Sequence, residues 1–319
     1  MSREAFAMDG SGDAEKTGSR YSMLNPLKNL TSFSDCTFPQ FPKALFAEFL
    51  GTAILVIFGC GSALTVEENL KPNVVSIAIA FGLTVATVIW ALGHVSGAQI
   101  NPCVAVAMCL TRKMTFAKAL AYCLAQCGGA VVGGYILYAL TPAGRRGNLG
   151  ATLVHSEVEV WQAVGVEFLA TFVLILGIFA TCDSRISDHP GSKALSIGFV
   201  VTMDIPWAAQ YTGASMNSAR SFGPAVVMGI WDHHWVYWLG PMLGGIAAGL
   251  VYEQIFAVNS SLLKTKEWLG SRDYDENRIY RYMSSRDRKT TRGSSFETQP
   301  LTVDINGWEE GEGVWVSRV

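Results

Sequence analysis

Apolar residues in this chain come as long, nearly uninterrupted runs, without the polar face that a helix on a soluble surface shows every three or four residues. Six runs cover residues 44–66, 74–93, 119–140, 160–182, 194–211 and 235–252. The acidic and basic side chains within them are Glu48 in the first, Glu167 in the fourth and Asp204 in the fifth. Crossing ~30 Å of hydrocarbon takes a helix of about 20 apolar residues, so each run predicts a membrane span. Two shorter segments, 101–110 and 217–230, are too short to cross, and each begins at an Asn, a favoured helix N-cap. Backbone that enters a membrane without crossing is tolerated only where protein or a water-filled cavity covers it. The pattern therefore predicts an all-α membrane protein with six transmembrane helices, two re-entrant half-helices and a pore.

The connections supply sidedness. With the N-terminus inside, the cytoplasmic segments hold Arg3, Lys16, Arg20, Lys28 and Lys43, then Arg112, Lys113 and Lys118, then Arg185 and Lys193, with more after residue 257. The outer segments hold Lys71, Arg145 and Arg146. That asymmetry predicts a multi-pass protein with both termini in the cytoplasm, expected in the plasma membrane. It makes the acceptor sequences at Asn29 and Asn259 poor glycosylation sites, because both then face the cytosol.

The chain also repeats itself. Ala47-Glu48-Phe49-Leu50-Gly51-Thr52 is answered by Val166-Glu167-Phe168-Leu169-Ala170-Thr171, and Ser96-Gly97-Ala98-Gln99-Ile100-Asn101 by Thr212-Gly213-Ala214-Ser215-Met216-Asn217. Each copy has three spans, an odd number, so the second must enter from the opposite face. The result is an inverted tandem repeat, with one copy at about 43–140 and the other at about 160–257. The half-helices then enter from opposite sides and meet near the middle. Glycines four apart, at Gly129 and Gly133 and at Gly240 and Gly244, are read as sites of close helix packing.

Composition agrees: 50% of the 319 residues are hydrophobic and 16% charged, which argues against a soluble globular protein. The charges gather at the ends, so residues 1–42 and 258–319 read as cytoplasmic tails flanking a channel domain at 43–257. Residues 1–42 lack an apolar h-region, so no cleavable signal peptide is expected. A formal net charge of −2 leaves no basic surface for nucleic acid. The seven Cys sit mostly in apolar runs and are expected to be reduced and buried. Neither H-E-x-x-H nor G-x-S-x-G occurs, so no catalytic residue, metal or other cofactor is expected.

With the six matched spans, Ser-Gly-Ala-Gln-Ile-Asn-Pro and Thr-Gly-Ala-Ser-Met-Asn-Ser-Ala-Arg-Ser-Phe-Gly-Pro make residues 43–257 resemble the aquaporin family, the major intrinsic proteins, and within it the animal water channels. The resemblance implies passive water conduction in a homotetramer, with Asn101 and Asn217 at the pore centre. It also implies a selectivity filter of Phe81, Ile205, Ala214 and Arg220, and pore-lining loop backbone at Gly97, Ala98, Gln99, Gly213 and Ser215. The family pattern is Asn-Pro-Ala at both sites, and this chain departs from it at Asn101-Pro102-Cys103 and Asn217-Ser218-Ala219. Ile205 is a further departure, since water-selective animal members carry His there. Its loss implies a wider, less polar aperture that also admits small neutral solutes such as glycerol or urea. The alternatives are a dedicated solute facilitator and a secondary transporter.

Beside the resemblance, each Asn side-chain oxygen is expected to cap its half-helix while the amide donates into the pore. Glu48 and Glu167, equivalent in the two repeats, are read as buttresses that pair with free backbone N–H groups of the loops. For Asp204 the pore, a neighbouring subunit and the cytoplasmic vestibule stay open as placements, and for His94 the cytoplasmic vestibule and the loop. From about Val258 the charged composition predicts a largely disordered tail, with Thr290, Ser294 and Ser295 placed after basic residues as kinase sites. Ser317-Arg318-Val319 fits the terminal pattern captured by PDZ domains.

Overall fold

A computed structural model describes residues 36–67, 72–186, 191–271, 274 and 281. The expected kinase sites, Asn29 and Ser317-Arg318-Val319 lie outside the described residues. Helix α1 (Phe41–Ile54) continues into a π-helical turn at Leu55–Cys60, so the first span starts and ends earlier than its apolar run. It is followed by α2 (Val74–Ser96), half-helix α3 (Pro102–Leu110) and α4 (Phe116–Leu140). The second copy comprises α5 (Val160–Cys182), α6 (Lys193–Thr212), half-helix α7 (Ser218–Met228) and α8 (Val236–Val251). Another π turn, Tyr252–Phe256, prolongs α8.

Local chemistry sets the ends. Asn73 Oδ1 accepts from Ser76 N at 2.8 Å to start α2, and Glu159 and Gln162 form a capping box at the head of α5. Both α2 and α6 end at a left-handed glycine, Gly97 and Gly213. α1 with its π turn, α2, α4 and α5 are each long and apolar enough to cross a membrane. The α-helical part of α8 has only 16 residues and reaches further through its π turn.

The packing is two-fold symmetric. α1 lies against α4 as α5 lies against α8, α4 meets α7 as α8 meets α3, and α2 crosses its own counterpart α6. A side chain at Gly129 would strike the Phe49 carbonyl, and one at Gly244 the carbonyl of Phe168, the equivalent residue in the second copy. These glycines let the backbones of α1 and α4, and of α5 and α8, touch.

Two expectations need correction. The segment after Val258 is not a structureless tail from its start, because α9 (Leu262–Gly270) follows at once, capped by Ser261. The cysteines are all free, but Cys182 at the end of α5 is exposed, because the helix stops there.

Candidate functional site

The two re-entrant loops share one unusual backbone. Gly97, Ala98 and Ile100 have positive φ in the first, and Gly213, Ala214 and Met216 in the second. Left-handed Ala, Ile and Met are strained and persist only where the surroundings over-determine them. Two buried carboxylates supply that determination. Glu48 Oε1 accepts from Ser96 Oγ at 2.6 Å and Gln99 N at 2.9 Å, and its Oε2 from Ile100 N at 2.7 Å and Gln126 Nε2 at 2.8 Å. Glu167 Oε1 accepts from Thr212 Oγ1 at 2.6 Å and Ser215 N at 2.9 Å, and its Oε2 from Met216 N at 2.9 Å.

So held, the loops deliver the half-helices N-terminus to N-terminus. Asn101 Oδ1 accepts from Cys103 N at 2.9 Å, and Asn217 Oδ1 from Ala219 N at 3.0 Å and Arg220 N at 3.2 Å. The amides are not wholly free, contrary to the sequence reading. Asn101 Nδ2 donates to the Met216 carbonyl at 2.8 Å and Asn217 Nδ2 to the Ile100 carbonyl at 2.7 Å, so each loop ties the other. One hydrogen of each amide is used in this way and the second remains.

A cavity of about 260 Å³ passes this meeting point. Asn101, Asn217, Phe81, Ile205, Ala214 and Arg220 all line it, as do Gly97, Ala98, Gln99 and Ser215. Arg220 is buried with 5% exposure, donates from Nη1 to the Gly150 carbonyl at 2.7 Å, and sits with its guanidinium 4.9 Å from the Phe81 ring centre. Its Nε has no partner among the described residues.

The Major intrinsic protein family model matches residues 35–252. The chain belongs to the major intrinsic protein family. It is 41% identical over 295 residues to Aquaporin-4 of Mus musculus, covering 89% of this chain and 90% of that one. To Aquaporin-2 of Bos taurus it is 43% identical over 249 residues, 76% of this chain and 92% of that one. Among solved structures, the aquaglyceroporin from Plasmodium falciparum has the same fold, with a TM-score of 0.60 at 22% identity over 68% of this chain and 97% of that one. The major intrinsic proteins are integral membrane channels rather than enzymes, and the six-span, two-half-helix architecture is theirs.

Within this family framework, one expected lining residue falls outside the cavity wall. Gly213 is the left-handed cap of α6, and its α-carbon faces Thr152, not the lumen. Asp204 is buried, does not line the cavity, and has an Oδ2 without a partner among the described residues. His94 lies exposed on the last turn of α2 and does not line it either.

Sequence reasoning missed the groups that hold the carboxylates and loop ends in turn. Besides Ser96, Thr212 and Gln126, these are Tyr122, whose hydroxyl donates to the Ser96 carbonyl at 3.0 Å, and Tyr237, which does the same to Thr212 at 2.9 Å. Tyr122 and Tyr237 are separated by nearly the same offset as the two Asn residues, and extending the repeat alignment into α4 and α8 would have found them.

Proposed function

We propose that this chain is a passive transmembrane water channel whose pore is the cavity at the junction of the half-helices. The observation that supports it best is the pair of Asn amides at two opposed helix N-termini, each fixed by its cap and by a bond to the other loop. Their remaining hydrogens can bind a water oxygen in transit. The partial positive charges of the two helix ends, roughly +0.5 each, disfavour cations and protons at the same point. In this reading Phe81, Ile205, Ala214 and Arg220 form the selectivity filter, and Glu48 and Glu167 buttress the loops. The reading places both termini in the cytoplasm of a plasma-membrane homotetramer, with residues 43–257 as the channel domain and a PDZ partner at Ser317-Arg318-Val319.

A second reading, added permeability to small neutral solutes such as glycerol or urea, is favoured by Ile205. It presents an apolar wall beside the small Ala214, whereas Phe81 against Arg220 keeps the opening narrow. Osmotic shrinkage of proteoliposomes carrying the purified chain, measured first with an impermeant osmolyte and then with glycerol or urea, tests both. Shrinkage no faster than in empty liposomes overturns the water reading, and absent solute flux overturns the second. Counterflow without trans-stimulation separates a pore from a carrier.

A further inference from the structure

At the pore centre the two repeats share an Asn, Asn101 and Asn217, and part at the two residues that follow it. The first half-helix begins Pro102-Cys103, whereas the second begins Ser218-Ala219. The two odd residues, Cys103 and Ser218, are in contact. Cys103 Sγ lies 3.5 Å from Ser218 Oγ, and both residues have no exposed surface.

The chemistry explains why these residues belong together. Pro suits the first position of a helix because its missing N–H is one of the donors the helix leaves unpaired there. Ser at that position brings back the N–H and adds a hydroxyl, both fully buried at membrane depth, where an unpaired donor is costly. Cys103 supplies a thiol that pairs with the hydroxyl, where the Ala found at the equivalent position 219 offers neither donor nor acceptor. Its own backbone N–H meanwhile donates to Oδ1 of the capping Asn101, and Ser218 directly follows the capping Asn217.

We infer that Cys103 and Ser218 are a coupled positioning pair: the thiol partners the hydroxyl that Ser218 introduces and fixes the spacing of Asn101 and Asn217 across the pore. The inference rests on the water-channel reading. Neither residue lines the cavity, so the pair acts through the two Asn amides.

The test is a double-mutant cycle of Cys103→Ala, Ser218→Pro and the two combined, with Cys103→Ser as the conservative variant. All are reconstituted as full-length protein and read as osmotic permeability per folded channel, beside thermal unfolding in detergent. Cys103→Ala alone should lose permeability severalfold and raise the activation energy of water flux. Adding Ser218→Pro should restore most of the loss, because it removes the orphaned hydroxyl. Cys103→Ser, which keeps an acceptor, should stay close to the original chain. Additive losses in the double variant, or a Cys103→Ser variant as impaired as Cys103→Ala, would overturn the coupling. Permeability that follows the folded fraction alone would also overturn it, since a merely structural pair would give that result. If the unaltered chain conducts no water, it is the channel reading that fails, and the two failures are thus distinct.

Discussion

Asn217 does two jobs at once, capping α7 with its oxygen and bonding the opposite loop with its nitrogen. Asn217→Leu removes both, leaves the buried Ile100 carbonyl unpaired and places a branched apolar group in the lumen. Osmotic permeability of the reconstituted variant should fall to that of empty liposomes, and an unchanged rate from folded protein would sink the mechanism. Ile205→His should instead spare water and cut any glycerol flux, because the ring narrows the aperture and restores a polar wall. Unaltered glycerol flux would mean that the filter is misassigned. Glu48→Ala orphans four donors, two of them backbone N–H groups in a strained loop. At about 1–3 kcal/mol for each unpaired buried group, the variant should unfold well below the unaltered chain in a detergent melting scan. The Asn, Arg and Glu positions were legible in the sequence because ionisable or amide side chains stand out in apolar surroundings, and the Asn and Glu pairs also recur at the repeat offset. Gln126, Tyr122 and Tyr237 were not, because a single amide or phenol in a span reads as an ordinary packed residue until its neighbour is known.

Elements were legible to the extent that hydrocarbon thickness dictates them. The six runs are long and apolar for one reason, and their caps follow from Asn, Thr, Ser and Gly at the ends. The helix α9 escaped because its sequence is polar and short, and its stability comes from distant partners. Lys264 on α9 is fully buried, with Nζ 2.7 Å from Glu253 Oε2 and 2.9 Å from Asn259 Oδ1. Lys113, beyond α3, reaches Glu253 Oε1 at 2.9 Å. Arg185, beyond α5, bridges Asp183 at 2.6 Å and Glu253 at 3.2 Å. This cluster clasps the segments after α3 and α5 and the π turn of α8 to α9. Removing one partner of a buried ion pair costs about 3–5 kcal/mol. Glu253→Ala should therefore release α9 and expose Lys264 and Lys266 to trypsin, and an unchanged digestion pattern would refute the clasp. Acid should have a related effect. Burial alone would raise the Asp183 carboxyl, but the Arg185 hydrogen bonds outweigh it and hold the group at about 2 against an ordinary 3.8. A carboxyl depressed by folding contributes stability that is fully present above its ordinary value and lost as pH falls toward the depressed one. Hydrogen exchange of α9, corrected for intrinsic rates, should accelerate between about pH 4 and pH 2. Asp183→Asn should flatten that profile.

At the scale of the whole molecule, the inverted repeat gives each chain a cavity lined entirely by its own residues, so conduction does not require a second copy. The outer surface offers apolar area to lipid or to another copy of the chain. Trp90, Leu124 and Trp161 point outward with most of their area exposed, and Gly165 on α5 has open space beside it, which permits another helix to approach closely. Lipid can cover the large side chains, but copies of the chain can cover them and use the glycine as well, which supports the proposed homotetramer. Cross-linking in mild detergent should give a ladder that stops at four chains, and a pattern that stops at the monomer would count against assembly. Assembly alone does not say where the water goes, and mixing experiments do. If the path runs within each chain, liposomes made with the Asn217→Leu variant and the unaltered chain in varying proportion should show permeability that falls linearly with the variant fraction. Were the path instead along the axis between chains, one variant per assembly would suffice to obstruct it, and permeability would collapse far more steeply than the fraction of variant present. A linear titration together with a four-step ladder would mean that the oligomer exists for membrane packing and stability, while the chemistry of selection is complete in the single chain.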